Sequence, residues 1–364
     1  MKNIGVYIHV PFCSSKCPYC DFYSHPAGEE ELDRYTEAVR CSLKTFSSTE
    51  KLMADTLYFG GGTPGLIGTE RIKSIVSAAD ERFGFAPGCE ITAELNPSAA
   101  DTDFFRLADA GVNRISVGLQ SANDDELAFL GRKHRSDQAK SFIQGAKTVF
   151  DNISLDLMIA LPGQTKEKLR RSVQFCIDSG AAHISAYILK IEPGTVFYRK
   201  KDSLDLPGED ETAELYEYLC DILKKNGYDH YEISNFCRKG YESRHNLKYW
   251  HDEEYLGFGP SAHSFYLGKR YYIPGNMEKF FRGEIVPDGD GGSSDEFIML
   301  ALRLSEGLTE ERYSDVFGTG IPEKIRARAR KYIAPGLVRV TPEGISITEK
   351  GFMVSNAIIA ELLM

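Results

Sequence analysis

Cys13, Cys17 and Cys20 stand in C-x3-C-x2-C spacing, so three of the chain's 8 cysteines crowd into one short loop. Cysteine thiolates are the ligands of iron–sulfur clusters. Three of them can hold three irons of a [4Fe–4S] cluster and leave the fourth iron without a protein ligand. Zinc is the alternative, but a tetrahedral site wants a fourth Cys or His, which His9 or His25 could supply. The other five cysteines (Cys41, Cys89, Cys176, Cys220 and Cys237) are scattered and read mostly as inert core thiols. GGGTPG at 60–65 satisfies G-x-G-x-x-G, yet the acidic residue that should end the next strand of a dinucleotide fold is missing, since Asp80 and Glu81 fall in an expected helix. The glycines read better as positions where backbone approaches something closely. Glu94, Gln120 and Asp156 sit on polar strand faces, and Arg132 could pair with a carboxylate as a fork.

A second constellation lies further on. Residues 228–281 hold fourteen aromatics, with the only tryptophan and four of the 8 histidines (His230, His245, His251, His263). Flat aromatic walls and an imidazole suit a porphyrin, whose iron takes histidine as an axial ligand. A packed aromatic core is the bland alternative.

These residues need elements to carry them. Strand-like segments at 4–10, 56–61, 89–96, 114–120, 152–161 and 183–190 alternate with helix-like stretches near 31–46, 69–82, 101–109, 136–149 and 165–179. Six strands separated by helices predict an α/β fold with a parallel sheet, either open or an incomplete (β/α)6-type barrel. Buried parallel strands are usually apolar on both faces. Here Thr92, Glu94 and Asn96 alternate with Ile91, Ala93 and Leu95, and Ser154 and Asp156 alternate with Leu155 and Leu157. One face therefore lines something wet or reactive, as the inside of a ligand-holding barrel does. A helix follows over 209–226. VPDGDGGSSDE at 286–296 reads as a boundary loop, and 337–348 as a hairpin in a smaller, mainly helical, winged-helix-like domain. The expected divisions are a partial barrel over 1–227, an aromatic extension and linker over 228–292, and a C-terminal domain over 293–364.

Composition narrows the classes. Hydrophobic content of 42% and charged content of 26% are those of a globular chain. Forty-three basic against 53 acidic residues give a net charge of −10, which speaks against a nucleic-acid partner. There is no transmembrane run, and the N-terminal stretch lacks a secretory pattern, so a cytoplasmic location is expected. In that reducing compartment a disulfide framework is not.

The loop PFCSSKCPYC after the first strand resembles the radical S-adenosylmethionine superfamily, with Tyr19 at the family's hydrophobic position. The resemblance implies a [4Fe–4S] cluster on Cys13, Cys17 and Cys20, with S-adenosylmethionine chelating the unique iron. It implies, too, that a GGGTP strand end contacts the cofactor's amino group. Tyr7, Gly61, Gly62, Thr63, Glu94, Gln120, Arg132 and Asp156 match cofactor-binding positions of the oxygen-independent coproporphyrinogen oxidase group. RHNLKYW at 244–250 and GFGPSAHSF at 257–265 are similar to the HemW-type haem chaperones, relatives of that oxidase that deliver haem to haem proteins such as respiratory enzymes. On that resemblance haem joins the expected cofactors, client haem proteins become the expected partners, and His245 becomes the expected haem ligand. Coproporphyrinogen III oxidation is the alternative activity. Phe22, where the oxidase has a further cysteine, and the twelve residues ahead of Cys13 favour the chaperone branch, with no residue assigned a catalytic role.

Overall fold

The computed structural model describes residues 1–99 and 102–364. Six strands, β1 (Lys2–Val10), β2 (Leu52–Gly61), β3 (Phe85–Leu95), β4 (Arg114–Gln120), β5 (Ile153–Ile159) and β6 (His183–Ile188), pair in chain order, every neighbour parallel. Between them run α1 (Glu29–Thr45), α2 (Thr69–Phe83), α3 (Phe104–Asp109), α4 (Asp124–Phe129), α5 (Ser136–Lys147) and α6 (Lys166–Asp178). The helix expected near 101–109 is α3; its expected first residue lies outside the described residues. The sheet does not close on itself, because β1 and β6 each take a different outer neighbour. The incomplete α/β barrel is the fold.

Period-two alternation decides which face packs. Ile4, Val6, Ile8 and Val10 of β1 are fully buried, as are Ile115, Val117 and Leu119 of β4, and they join the helices in one apolar core. Removing this surface from water at about 25 cal/mol per Å2 is the main term holding helices to sheet. Helix ends are fixed locally: Thr165 caps α6 by accepting from the Lys168 N–H at 3.3 Å. Thr165→Ala is expected to lower stability by about 1 kcal/mol, read as a shift of the urea midpoint with unchanged m-value.

The segment after 227 contributes to both ends of the same sheet. On one side β7 (Asp229–Glu232) and β8 (Asn235–Cys237) form a hairpin whose β8 pairs antiparallel with β6. On the other, β9 (Tyr255–Phe258) pairs parallel with β1, and β10 (His263–Tyr266), β11 (Lys269–Tyr272) and β12 (Val286–Asp290) follow outward. The stretch read as a boundary loop is thus in part an edge strand: β12 is exposed and held by backbone pairing with β11. The C-terminal helices surround a separate sheet of β13 (Leu308–Thr309), β14 (Val338–Thr341) and β15 (Gly344–Ile347), in the order β13-β15-β14. The expected hairpin at 337–348 is β14–β15.

Candidate cofactor site and the adjoining aromatic cleft

The polar strand faces point into the barrel. Tyr58 donates to Glu94 at 2.9 Å, Ser116 donates to Asp156 at 3.0 Å, and Ser154 bonds His183 at 2.7 Å. Burial pushes the Glu94 carboxyl up to about 7, helped by the negative charge of Asp156, while Tyr58 and the Gly61 backbone pull the other way. Asp156 is raised for the same first reason, burial, against hydrogen bonds from Ser116 and Ser185. Arg114 is fully buried among these carboxylates and leaves its Nε without a partner among the described residues.

The cysteine loop is anchored to the ends of β1 and β2. Cys13 N–H donates to the His25 carbonyl at 3.1 Å, and His25 N–H to that of Pro11 at 2.9 Å. Gly62 and Thr63 continue β2 by donating to the carbonyls of Val10 and Phe12, both at 2.8 Å. A side chain at Gly62 would bring its Cβ within 2.6 Å of the Phe12 carbonyl oxygen, and one at Gly61, where φ is +103°, within 2.6 Å of the His9 ring. The close approach these glycines permit is therefore made by β1 and its loop. All three loop cysteines are free and half-buried. Cys13 Sγ lies 3.5 Å from Thr63 Oγ1, and Arg132 points Nη1 at Cys17 Sγ, 3.8 Å away, while its Nη2 donates to the Gly118 carbonyl at 2.7 Å. Tyr19 packs beside Phe197, ring centroids 6.4 Å apart. Gln120 ends β4 at φ +68°, a left-handed conformation that a non-glycine residue adopts at a cost and that clusters at functional sites.

The fold thus brings Cys13, Cys17, Cys20, Thr63 and Arg132 to one end of the barrel, and gathers Glu94 and Asp156 with their partners in its interior. Among the described residues no three His, Cys, Asp or Glu side chains converge on a point as ligands of a single ion must. In a four-iron cluster each thiolate has its own iron, and the donor set fits that group. A buried Arg132 Nε with no partner among the described residues is a donor awaiting an acceptor, and a cofactor carboxylate is of the right kind.

Beside this end lies a cleft of about 440 Å3, its lining including Tyr7, His9, Gly61, Tyr249, Tyr255 and His263. The helix Arg244–Trp250 is tied to β2 and β3. His245 and Arg244 N–H groups both donate to Glu90 at 3.2 Å, and Lys248 pairs with Asp55 at 2.9 Å. His245 is fully buried and stacks on Tyr58, centroids 5.1 Å apart. Its Nδ1 meets Thr56 Oγ1 and its Nε2 meets the Tyr249 hydroxyl, both at 2.8 Å. Burial, and then the Lys248 and Arg114 charges, push its pKa down to about 3, so the ring is neutral. Both nitrogens are engaged, and Tyr249, the partner of Nε2, also lines the cleft. His263 is exposed on the cleft wall, stacked on Tyr272; His251 is paired with Glu253 and Glu306.

Three further residues take part in roles that the sequence did not indicate. His9 bonds Tyr7 and the Tyr23 carbonyl, both at 3.2 Å, and burial lowers it to about 4. Tyr58 sits opposite Tyr7 in the β1–β2 register. Both follow from period-two alternation on β1 and β2, where the apolar residues drew the eye. Tyr249 was legible as an aromatic of the 228–281 segment and as the tyrosine of RHNLKYW, though not as the partner of His245.

A family model described as the radical SAM superfamily matches residues 7–176, and one described as the HemN C-terminal domain matches residues 295–354. Full-length similarity reaches proteins named heme chaperone HemW. The Lactococcus lactis protein is 34% identical, covering 100% of this chain and 98% of its own length. The Bacillus subtilis protein is 32% identical, covering 99% of each. The Mycobacterium tuberculosis protein is 34% identical, covering 100% of this chain and 95% of its own. Among solved structures, coproporphyrinogen III oxidase (HemN) from Escherichia coli superposes with a TM-score of 0.83 over 99% of this chain and 90% of that one, at 20% identity, a likeness of fold.

Proposed function

The chain belongs to the radical SAM superfamily and, within it, to the heme chaperone HemW family, and from that premise we propose that it binds haem and passes it to client haem proteins. Cys13, Cys17 and Cys20 hold a [4Fe–4S] cluster. Arg132 takes the cofactor's carboxylate, Gly61, Gly62 and Thr63 its amino group, and Tyr7, Tyr19, Glu94, Gln120 and Asp156 line the rest of its site. Bound there, S-adenosylmethionine supplies one-electron chemistry. The protein's own residues orient it and keep the barrel interior closed. The clients are haem proteins such as respiratory enzymes; no helix among the described residues is long and apolar enough to cross a membrane.

The observation that carries the haem reading is the neutral imidazole bonded to a tyrosine of an aromatic cleft. A metal-ligating histidine usually has its second nitrogen fixed by a hydrogen bond. Thr56 supports that arrangement at Nδ1, leaving Nε2 to exchange the Tyr249 hydroxyl for iron when Tyr249 turns aside. His245 is the proposed ligand, and haem lies against Tyr7 and Tyr255.

Haem titration of the anaerobically reconstituted protein tests this. His245→Ala is expected to weaken haem binding about tenfold and to change the ligand-field spectrum, whereas Tyr249→Phe, which frees Nε2, is expected to tighten it. If His263→Ala reproduces the first effect and His245→Ala does not, the ligand is His263. Turnover of coproporphyrinogen III to protoporphyrinogen IX by the same preparation would overturn the chaperone reading.

A further inference from the structure

Two neighbouring strands of the barrel end on left-handed residues that are not glycine. Gln120 closes β4 at φ +68°, and Ala160, directly after β5, has φ +59°. Such conformations persist where the surroundings over-determine them. Here the surroundings are one relay of side chains. The Ala160 N–H donates to Gln164 Oε1 at 2.9 Å, and Gln164 Nε2 donates to Glu126 Oε1 at 3.3 Å. From the other side Ser121, the residue after Gln120, donates its hydroxyl to Glu126 Oε2 at 2.5 Å. Asn123 Nδ2 donates to that oxygen as well, at 3.2 Å. Glu126, on α4, ties the two strand ends to each other.

Glu126 is 3% exposed, and the Lys168 ammonium of α6 goes to Asp125 instead, 2.7 Å away. A buried carboxylate is costly unless hydrogen bonds satisfy it. What this one adds is placement. The turn that follows it leads to Arg132, whose N–H donates to the Leu127 carbonyl at 2.9 Å and whose Nη2 donates to the Gly118 carbonyl of β4 at 2.7 Å. At the end of β5, Met158 and Leu161 pack with Leu130 and Phe197 in a small apolar cluster, and Tyr19 of the cysteine loop rests against it.

We propose that Glu126 is a positioning residue for the cofactor. By locking the left-handed ends of β4 and β5 together, it fixes Gln120 and Arg132 where they receive S-adenosylmethionine. The inference rests on the assignment of Gln120 and Arg132 to that cofactor and is independent of haem. The relay has a direction. The Ser121 hydroxyl and the Asn123 and Gln164 amides all donate towards residue 126, so a pure acceptor is required there. Glu126→Gln leaves one oxygen and turns an NH2 on at least one of these donors. Gln164→Glu sets two carboxylates against each other. Made together, the two changes restore the relay: the new amide donates to the new carboxylate, which still accepts from Ala160.

The test uses the anaerobically reconstituted full chain, well below the Tm of every variant. Affinity for S-adenosylmethionine is read by equilibrium dialysis, and by the change that the cofactor causes in the EPR signal of the dithionite-reduced cluster. Glu126→Gln is expected to weaken binding about tenfold and Gln164→Glu further, at iron and sulfide contents equal to the parent's. The double exchange should return affinity to within about threefold of the parent's, a coupling that the double-mutant cycle measures. Should Gln164→Glu not fold, Ser121→Ala, which takes one hydroxyl from the relay, is expected to weaken binding about threefold. The proposal falls if Glu126→Gln lowers Tm and binds the cofactor like the parent, because the network then serves stability alone. It falls also if the double exchange recovers nothing, or if iron is lost in step with affinity. A parent chain that takes up a cluster but no S-adenosylmethionine overturns the cofactor assignment itself, and this inference with it.

Discussion

Cys17→Ala is expected to leave the chain folded and unable to retain a cluster. The thiol is half-buried and free, with the Arg132 N–H 3.8 Å away and Tyr19 beside it. Losing it opens no core cavity, so the cost to stability should stay within about 1 kcal/mol. The cost to iron binding is much larger. A loop that presents three thiolates already leaves one iron to an outside ligand, and with two it leaves half the cluster exposed to solvent and exchange. After anaerobic reconstitution the variant should carry little iron or sulfide, whereas Cys41→Ala, which removes an exposed thiol outside the loop, should load like the parent. Equal iron content in Cys17→Ala and the parent chain would show that the cluster assignment is wrong. Cys13→Ala and Cys20→Ala should behave like Cys17→Ala, since each thiolate has its own iron.

Glu94→Gln is expected to stabilise the protein in alkali and not in acid. Burial and the neighbouring Asp156 charge hold the Glu94 carboxyl at about 7, against 4.5 when the chain is unfolded. Between those values the native state keeps a proton that the unfolded state has lost, so stability falls as pH rises, at about 1.4 kcal/mol per pH unit. The full loss, about 3 kcal/mol, is in place above pH 7 and absent below 4.5. Glutamine keeps the bond from Tyr58 and never ionises. Urea unfolding at pH 8 should therefore show the variant more stable by about 3 kcal/mol, with the difference gone near pH 4. Glu232 is raised to about 7 by burial as well, so some slope persists in the variant. A parallel shift of the two stability curves at every pH would mean that the Glu94 carboxyl titrates alike in the folded and unfolded chain. The same titration bears on function. An ionised Glu94 favours a cationic ligand, and cofactor affinity of the parent should rise through pH 7 while that of the variant stays level.

Most of the site was legible because the barrel expresses it in short, regular spacings. The cysteine loop follows one strand, the GGGTP end another, and the alternation of Thr92 and Glu94 with Ile91 and Ala93 marks an inner face whatever the tertiary detail. Strand starts were less visible. β2 and β3 begin at Leu52 and Phe85, several residues ahead of the expected points, and the pairing slips between Ala54 and Thr56, where Pro87 and Gly88 interrupt the pattern on the neighbouring strand. A register slip changes which face each side chain meets, so alternation no longer reports the strand. β12 was read as loop because its side chains face water and only its backbone is satisfied. His245 shows the other limit. Its partners Thr56 and Tyr249 come from a distant strand and from one turn of its own helix, and the motif predicts the residue without predicting that both ring nitrogens are engaged.

The stretch that supplies β7 to β12 has a consequence for biosynthesis. It seals the β6 flank first and only later, after the helix Arg244–Trp250 has crossed, the β1 flank. As the chain emerges from the ribosome, β1 is among the first strands made, and its outer hydrogen-bonding groups wait for Tyr255–Phe258 more than two hundred residues behind. Through that interval β1 stays an open edge, joined by β6 until β8 pairs with it, and such edges are the kind of template on which chains pair with one another. A chain terminated near residue 227 never loses either. Translation pauses or truncations before residue 258 should be the point at which this protein aggregates, and a holdase that shields β1 should matter more to its yield than any aid to the C-terminal domain.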